Sequence, residues 1–390
     1  MTRETIFSNA RIVLPEEIAH GSVLVRDGVI ADISSGDSAF GEDLGGDHLL
    51  PGLVELHTDH LEYHFNPRPG VRWEPLPAVL ASDAQLSAAG ATTVLDAVRL
   101  GSQGGQHDAT TEAARLLADS IEMAADAGLL RADHAIHVRC EVSCEDCLDA
   151  FGGFADDPHV RLVSLMDHTP GQRQYADIEV FKRYNISKGR VTESGFDAFV
   201  APLLERSARY AGVHRQAIAG LAAQRGITVA THDDATPDHV AESAALGVRI
   251  SEFPTTVLAA KAAQEQGQLI VMGAPNIVRG GSQSGNVAAT ELLALGLLDI
   301  LSSDYVPSSP LQAVFQLAAD GAVGLADGMT LVSGNPARAV GLDDRGQIAV
   351  GKRADLVRAR PHDLPATERH PHGQRVPVVR GVYRQGARVS

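Results

Sequence analysis

The stretch LLPGLVELHTDHLEYH, residues 49–64, places five groups that bind cations or move protons directly behind an apolar run: His57, Asp59, His60, Glu62 and His64. Comparable endings recur downstream. The apolar run 91–98 contains Asp96, and 135–142 carries Arg139 and Glu141. The run 160–167 leads to Asp167 and His168, and 227–233 to His232, Asp233 and Asp234. The run 248–253 carries Glu252, 268–274 is followed by Asn276, and 299–304 ends at Asp304. Imidazole and carboxylate suit Zn²⁺, Mn²⁺ or Fe²⁺. Such an ion lowers the pKa of bound water and makes hydroxide accessible near neutral pH. A further carboxylate can take the proton of the attacking water. The pattern therefore points to metal-assisted hydrolysis, with His57, Asp59, His168 and His232 as candidate ligands and Asp304 as candidate base. Asp233 and Asp234 are adjacent, so both cannot face the metal in an obvious way, and one would orient a histidine from behind. His60 would pack beside the metals. Ordinary readings stay open for each: a hydrogen-bonded core histidine for His168 or His232, a helix cap or ion-pair partner for Glu141, and an N-cap for Asp304.

Eight apolar runs alternate with Ala- and Leu-rich segments between residues 49 and 304, and many of those segments close on glycine, as at Gly90, Gly128, Gly226, Gly247 and Gly267. Continuous apolar runs alternating with helices indicate parallel strands covered on both faces. Eight such units predict a (β/α)₈ barrel of the TIM type over residues 48–345, whose chemistry sits at the C-terminal strand ends. A doubly wound sheet would more often carry a Gly-rich nucleotide loop behind its first strand, and none follows residue 56. The two ends read differently. TIFSNARIVL and GSVLVRDGVIADI alternate around a turn, and so do GQIAVGKRADLVRA and VPVVRGVYRQGARV. Residues 1–47 and 346–390 are accordingly expected to build one small β-sandwich domain together.

The net charge is −16 over 390 residues, and the hydrophobic fraction is 44%. An acidic surface argues against nonspecific binding of nucleic acid or anionic membranes. No segment approaches the ~20 apolar residues of a membrane helix, and no leader of signal-peptide type opens the chain, so a cytoplasmic protein is expected. Cys140, Cys144 and Cys147 are too few for a disulfide framework and lack the second pair of a four-ligand zinc site. Association into a homo-oligomer is left open.

PGLVELHTD, a histidine closing the fourth and fifth runs, an aspartate closing the eighth, and GKRADLV near the C-terminus together resemble the amidohydrolase superfamily. That resemblance covers essentially the whole chain. It implies a metal-dependent barrel with a small β-sandwich from both termini. Two departures stand out. The usual His-x-His is His57-Thr58-Asp59 here, and none of Lys182, Lys188, Lys261 and Lys352 closes a run where a carboxylated lysine could bridge two ions. The resemblance then implies Glu141 as the bridging ligand between two divalent ions.

A narrower group within the superfamily is similar in long blocks: LHTDHLEYHFNPRPGVRW, SLMDHTPGQRQY, THDDATPDHVAES, EFPTT, MGAPNIVRGGSQSGN and DILSSDY. These resemble the diphosphatases of bacterial phosphonate catabolism in the carbon–phosphorus lyase pathway. The implied substrate is a small phosphorylated ribose phosphonate, α-D-ribose 1-methylphosphonate 5-triphosphate, cleaved to the 5-phosphate and pyrophosphate. Such a substrate needs cations and backbone donors. Arg279 precedes a Gly/Ser loop whose Gly280, Gly281, Ser282 and Ser284 could cradle phosphate. Arg173, Lys182 and Arg183 cluster after the fourth run, and Arg68 flanks the first motif. Arginine suits bidentate phosphate contact, although such residues also serve as an ordinary solvated face. Two rivals remain at this level: a cyclic amidase or deaminase acting on a C–N bond, and a non-catalytic scaffold.

Overall fold

The computed structural model describes residues 4–101, 111–173, 178–187, 189–282, 285–367 and 373–390. Eight parallel strands run in chain order around a barrel: β6 (Leu53–Thr58), β7 (Ala91–Leu100), β8 (Asp133–Glu141), β9 (Val160–Met166), β10 (Thr228–His232), β11 (Ile250–Glu252), β12 (Leu269–Gly273) and β13 (Ile300–Ser302). All eight expected runs supply one strand each. The last gap is bridged at the mouth, where Thr58 pairs with Asp304. There Asp304 N–H donates to the His57 carbonyl at 3.0 Å and Asp59 N–H to the Asp304 carbonyl at 2.9 Å. Alternation sorts the side chains. Val54, Leu56, Leu95, Leu162, Ala230, Ile250, Val271 and Ile300 share one buried cluster inside the barrel, while Ile136, Val138, Cys140, Val163, Leu165 and Val229 pack outward with the covering helices. The long helix Phe196–Arg225 stops at Gly226, whose φ of 69° is the left-handed conformation glycine adopts without a Cβ penalty.

Both termini join in a second sheet. It contains β1 (Glu4–Val13), β2 (Ile18–Arg26), β3 (Val29–Ser35), β4 (Glu42–Asp43), β5 (His48–Pro51), β14 (Leu356–Leu364), β15 (Gln374–Arg384) and β16 (Ala387–Arg388). Its order is β16-β15-β14-β5-β1-β2-β3, with β4 beside β1. The expected turn at RDG is the β2–β3 connection, with Asp27 at φ 50° and Gly28 at φ 83°, the conformations a two-residue hairpin turn requires. Although β1 and β15 are not neighbours in the sheet, the Phe7 and Tyr383 rings lie 4.6 Å apart. The sheet therefore folds over its own core of Phe7, Ile12, Val23, Ile30, Leu49 and Leu356. One boundary is corrected. Leu49–Pro51, read as the start of the first barrel strand, belongs to β5 of the terminal sheet. Gly52 makes the switch, because a Cβ there would sit 2.2 Å from Thr92 Oγ1. Among the described residues no helix is long and apolar enough to cross a membrane.

Candidate functional site

Three histidines meet at the C-terminal mouth of the barrel, each held from behind. His57 Nδ1 lies 3.1 Å from Glu252 Oε1, and His232 Nδ1 lies 3.2 Å from Glu252 Oε2. His168 Nδ1 lies 2.5 Å from Glu141 Oε2, and the His168 N–H donates to Glu141 Oε1 at 2.9 Å. A carboxylate on one ring nitrogen fixes tautomer and orientation and leaves the other nitrogen for a ligand. All three Nε2 atoms thus face the mouth. His57 reaches this position through a bulge: register against β7 shifts between Glu55 and Thr58, and an inserted residue re-aims the side chains beyond it. Buried Glu55 secures the bulge by accepting from the His57 N–H at 2.9 Å and the Ser303 N–H at 2.8 Å. Burial raises the Glu55 carboxyl to a pKa of about 7.

Three aspartates face these nitrogens. Asp59 Oδ1 is 3.8 Å from His57 Nε2. Asp233 Oδ2 is 3.4 Å from His232 Nε2 and 3.8 Å from His168 Nε2. This oxygen is buried and without a hydrogen-bond partner. Asp304 joins His57 and Asp59 in a group whose donor atoms lie within 4.8 Å of one another, and His168, His232 and Asp233 form another. Asp233 and Phe253, directly beyond their strands, and Asp304, two residues beyond β13, have φ of 59°, 53° and 53°. Such left-handed residues are uncommon outside glycine and cost of order 1 kcal/mol or more. The turn they make aims both carboxylates into the mouth. The orphaned oxygen and the clustered imidazole and carboxylate donors fit a divalent cation.

Charges in the site are strongly coupled. Burial opposes a charged His57, yet the Glu252 carboxylate outweighs it and holds its pKa above the ordinary value. Burial likewise opposes ionisation of Glu252, and His57 and His137 hold it well below the carboxylate range. Glu141 is also buried, and His168 brings it down to about 2. Asp304 goes the other way: burial raises it to about 6, with Asp59 adding repulsion.

The remaining expected residues divide. Arg279, Gly281 and Ser282 line the same cavity of about 230 Å³ as the histidines and aspartates, together with Arg139, Asn276 and Tyr305. Gly280 ends the helix Ala274–Arg279 at φ 80° and is not part of the lining. Ser284 lies outside the described residues. Glu141, expected as the bridging ligand, sits behind His168: its oxygens contact His168, Arg99 at 3.0 Å and Ser143 at 3.2 Å, and it belongs to none of the donor groups found among the described residues. Arg173 is not a substrate contact. It is 2% exposed and pairs with Asp234, with Glu242 at 3.0 Å and with Thr231 Oγ1 at 3.1 Å. Asp234 consequently anchors Arg173, Thr231 and Ser243 and orients no site histidine. Lys182 pairs with Glu193 at 2.8 Å. Arg183 and Arg68 are exposed and do not line the cavity. His60 starts the helix His60–Phe65 and meets the His64 ring edge-to-face at 5.1 Å, away from the cavity lining. Asp96 pairs with buried His134 at 2.5 Å. Sequence reasoning missed His137, fully buried below the mouth, with Nδ1 2.9 Å from the Leu56 carbonyl oxygen and Nε2 2.5 Å from Ser164 Oγ. Its signal was period two: Ala135, His137, Arg139 and Glu141 occupy one face of β8.

The Amidohydrolase family matches residues 196–390. The curated alpha-D-ribose 1-methylphosphonate 5-triphosphate diphosphatase of Escherichia coli (strain K12) is 44% identical over 388 residues, spanning 98% of this chain and 100% of that protein. The chain belongs to the amidohydrolase family. Solved structures agree on the fold. An amidohydrolase from a Sargasso Sea environmental sample superimposes with a TM-score of 0.64 at 15% identity, covering 100% of this chain and 93% of that one. A dihydropyrimidinase from Brevibacillus agri does so with a TM-score of 0.57 at 14% identity, covering 99% and 95%. This amidohydrolase therefore shares its fold with a dihydropyrimidinase, while its extensive sequence identity lies with a diphosphatase.

Proposed function

We propose that the chain hydrolyses α-D-ribose 1-methylphosphonate 5-triphosphate to ribose 1-methylphosphonate 5-phosphate and pyrophosphate. The observation that carries this reading is 44% identity, sustained over 98% of the chain, to a diphosphatase of that substrate. The mouth supports it, because a donor set at His168, His232 and Asp233 that suits a divalent cation, with the Arg279 guanidinium on the same cavity, fits a polyanion better than a neutral ring. The C–N alternative rests on the fold alone.

His168, His232 and Asp233 would hold a divalent cation, with Zn²⁺, Mn²⁺ and Fe²⁺ all compatible with this donor set. Bound there, it would supply Lewis-acid activation of water and neutralise phosphoryl oxygens. Glu141 and Glu252 keep the imidazoles in the ligand-binding tautomer. Asp304, with its pKa lifted to about 6, accepts the proton of the attacking water near neutral pH. Arg279 is exposed on the rim and lines the cavity, so it meets the outgoing pyrophosphate charge, with Gly281 and Ser282 beside it.

Phosphorus NMR of the Mn²⁺- or Zn²⁺-loaded protein with this triphosphate, beside a chelated control, tests the reading. Metal-dependent appearance of pyrophosphate is expected. Orthophosphate in its place would move the attack to the terminal phosphorus, and an inert, metal-loaded protein would overturn the assignment.

A further inference from the structure

We infer that the centre holds one divalent ion and that the Arg139 guanidinium occupies the place of a second. The inference rests on the metal-centre reading above. It comes from the two sides of the mouth, which are not equivalent. On one side, Asp233 Oδ2 is buried, lacks a hydrogen-bond partner, and lies 3.4 and 3.8 Å from the Nε2 atoms of His232 and His168. Those three donors form a group that suits a cation. On the other side, the Asp59 oxygen nearest His57 Nε2 is Oδ1, and Oδ1 is the atom that Arg139 Nη1 contacts. A second ion on His57, Asp59 and Asp304 would have to share the Asp59 carboxylate with a guanidinium, and two cations held on one carboxylate repel.

Arg139 is not a surface residue that can swing aside. It rises from the inward face of β8, two residues beyond fully buried His137, and its side chain is 12% exposed. The bridging group that the resemblance implied is already engaged. Glu141, the carboxylate the sequence offered, is engaged by His168, Arg99 and Ser143. Among the described residues no lysine lines the cavity. Arg139 therefore supplies a fixed positive charge that needs no loading, beside a single exchangeable ion.

Metal counting tests this without reference to turnover. The full-length protein is stripped, reloaded with excess Mn²⁺, dialysed and analysed for manganese per chain. One ion is expected, with an EPR spectrum of magnetically isolated Mn²⁺. Arg139→Met should admit a second ion and give a spin-coupled pair. Asp59→Asn should keep one ion at unchanged affinity. Two ions in the wild type, or a loss of about 10-fold or more in affinity in Asp59→Asn, would overturn the inference while sparing the metal centre. No ion at all would overturn the metal centre with it. The wild-type and Asp59→Asn arms decide the matter even if Arg139→Met fails to fold.

Discussion

At the scale of single residues, one carboxylate does the work of two. Glu252 is fully buried and holds the Nδ1 atoms of both His57 and His232. Replacing it with glutamine removes the charge that keeps both rings aligned, and puts a donor amide against one of them. Mn²⁺ affinity of Glu252→Gln, measured by calorimetry, is expected to fall about 10–100-fold. Asp304 has the opposite character. Among the described residues no side chain hydrogen-bonds it, and burial leaves its carboxyl with a pKa of about 6. Asp304→Asn is expected to retain its ion while turnover drops about 10²–10⁴-fold. Undiminished pyrophosphate release would remove Asp304 from the proton-accepting role.

At the scale of elements, the barrel wall contains a buried ion network that serves stability rather than chemistry. His134 on β8 lies 2.5 Å from Asp96 on β7 and 3.2 Å from Asp83 of the helix Pro75–Ala88. Burial opposes the imidazolium, yet the two carboxylates raise the His134 pKa to about 10 from an ordinary 6.5. A raised histidine pKa stabilises the fold fully below the unfolded value, and that contribution is lost as pH climbs through the folded value. The gap in melting temperature between wild type and His134→Ala should therefore be widest at pH 6.5 and below, and shrink steadily toward pH 10. A gap independent of pH would mean that His134 acts by packing alone. Burial also opposes ionisation of Asp83, whose pKa is nonetheless lowered, chiefly by His134, so its share of stability is lost in acid.

Across the whole molecule, the terminal sheet and the barrel are stitched together. Val13, Leu50, Val357 and Val382 of the sheet share one buried cluster with Leu311, Val314 and Phe315 of the helix Ser309–Ala319 and with Ile270 and Leu301 of the barrel. Arg345, Arg353 and Arg384 converge on Asp133 at the start of β8, at 2.8, 2.6 and 3.2 Å. Removing residues 346–390 would expose that apolar face and strand Asp133 without two of its three cations. The truncated chain is expected to aggregate where the full chain stays monodisperse, as sedimentation velocity would record. A well-behaved truncated barrel would show that the barrel folds alone.

Much of this was legible from local pattern. Apolar runs of strand length, separated by helical segments, specify a barrel because burial on both faces requires such runs, and the reactive groups beyond them mark the mouth. His57, His168, His232 and Asp304 could be placed there for that reason alone. What the sequence could not determine was which side chains meet across the ring. His57 finds Glu252 at a separation of 195 residues, a contact that only barrel closure creates. Glu141 and Asp59 were both read as ligands: Asp59 does lie with His57 and Asp304 in one donor group, yet it also contacts Arg139, and Glu141 meets Arg99 and His168. Arg173 looked like a phosphate contact and is instead buried on Asp234 and Glu242. Residue type and strand position say that a charge is at the mouth. Only the packed structure decides whether that charge is already neutralised by a neighbour, because in a low-dielectric site the nearest opposite charge governs what remains free to bind.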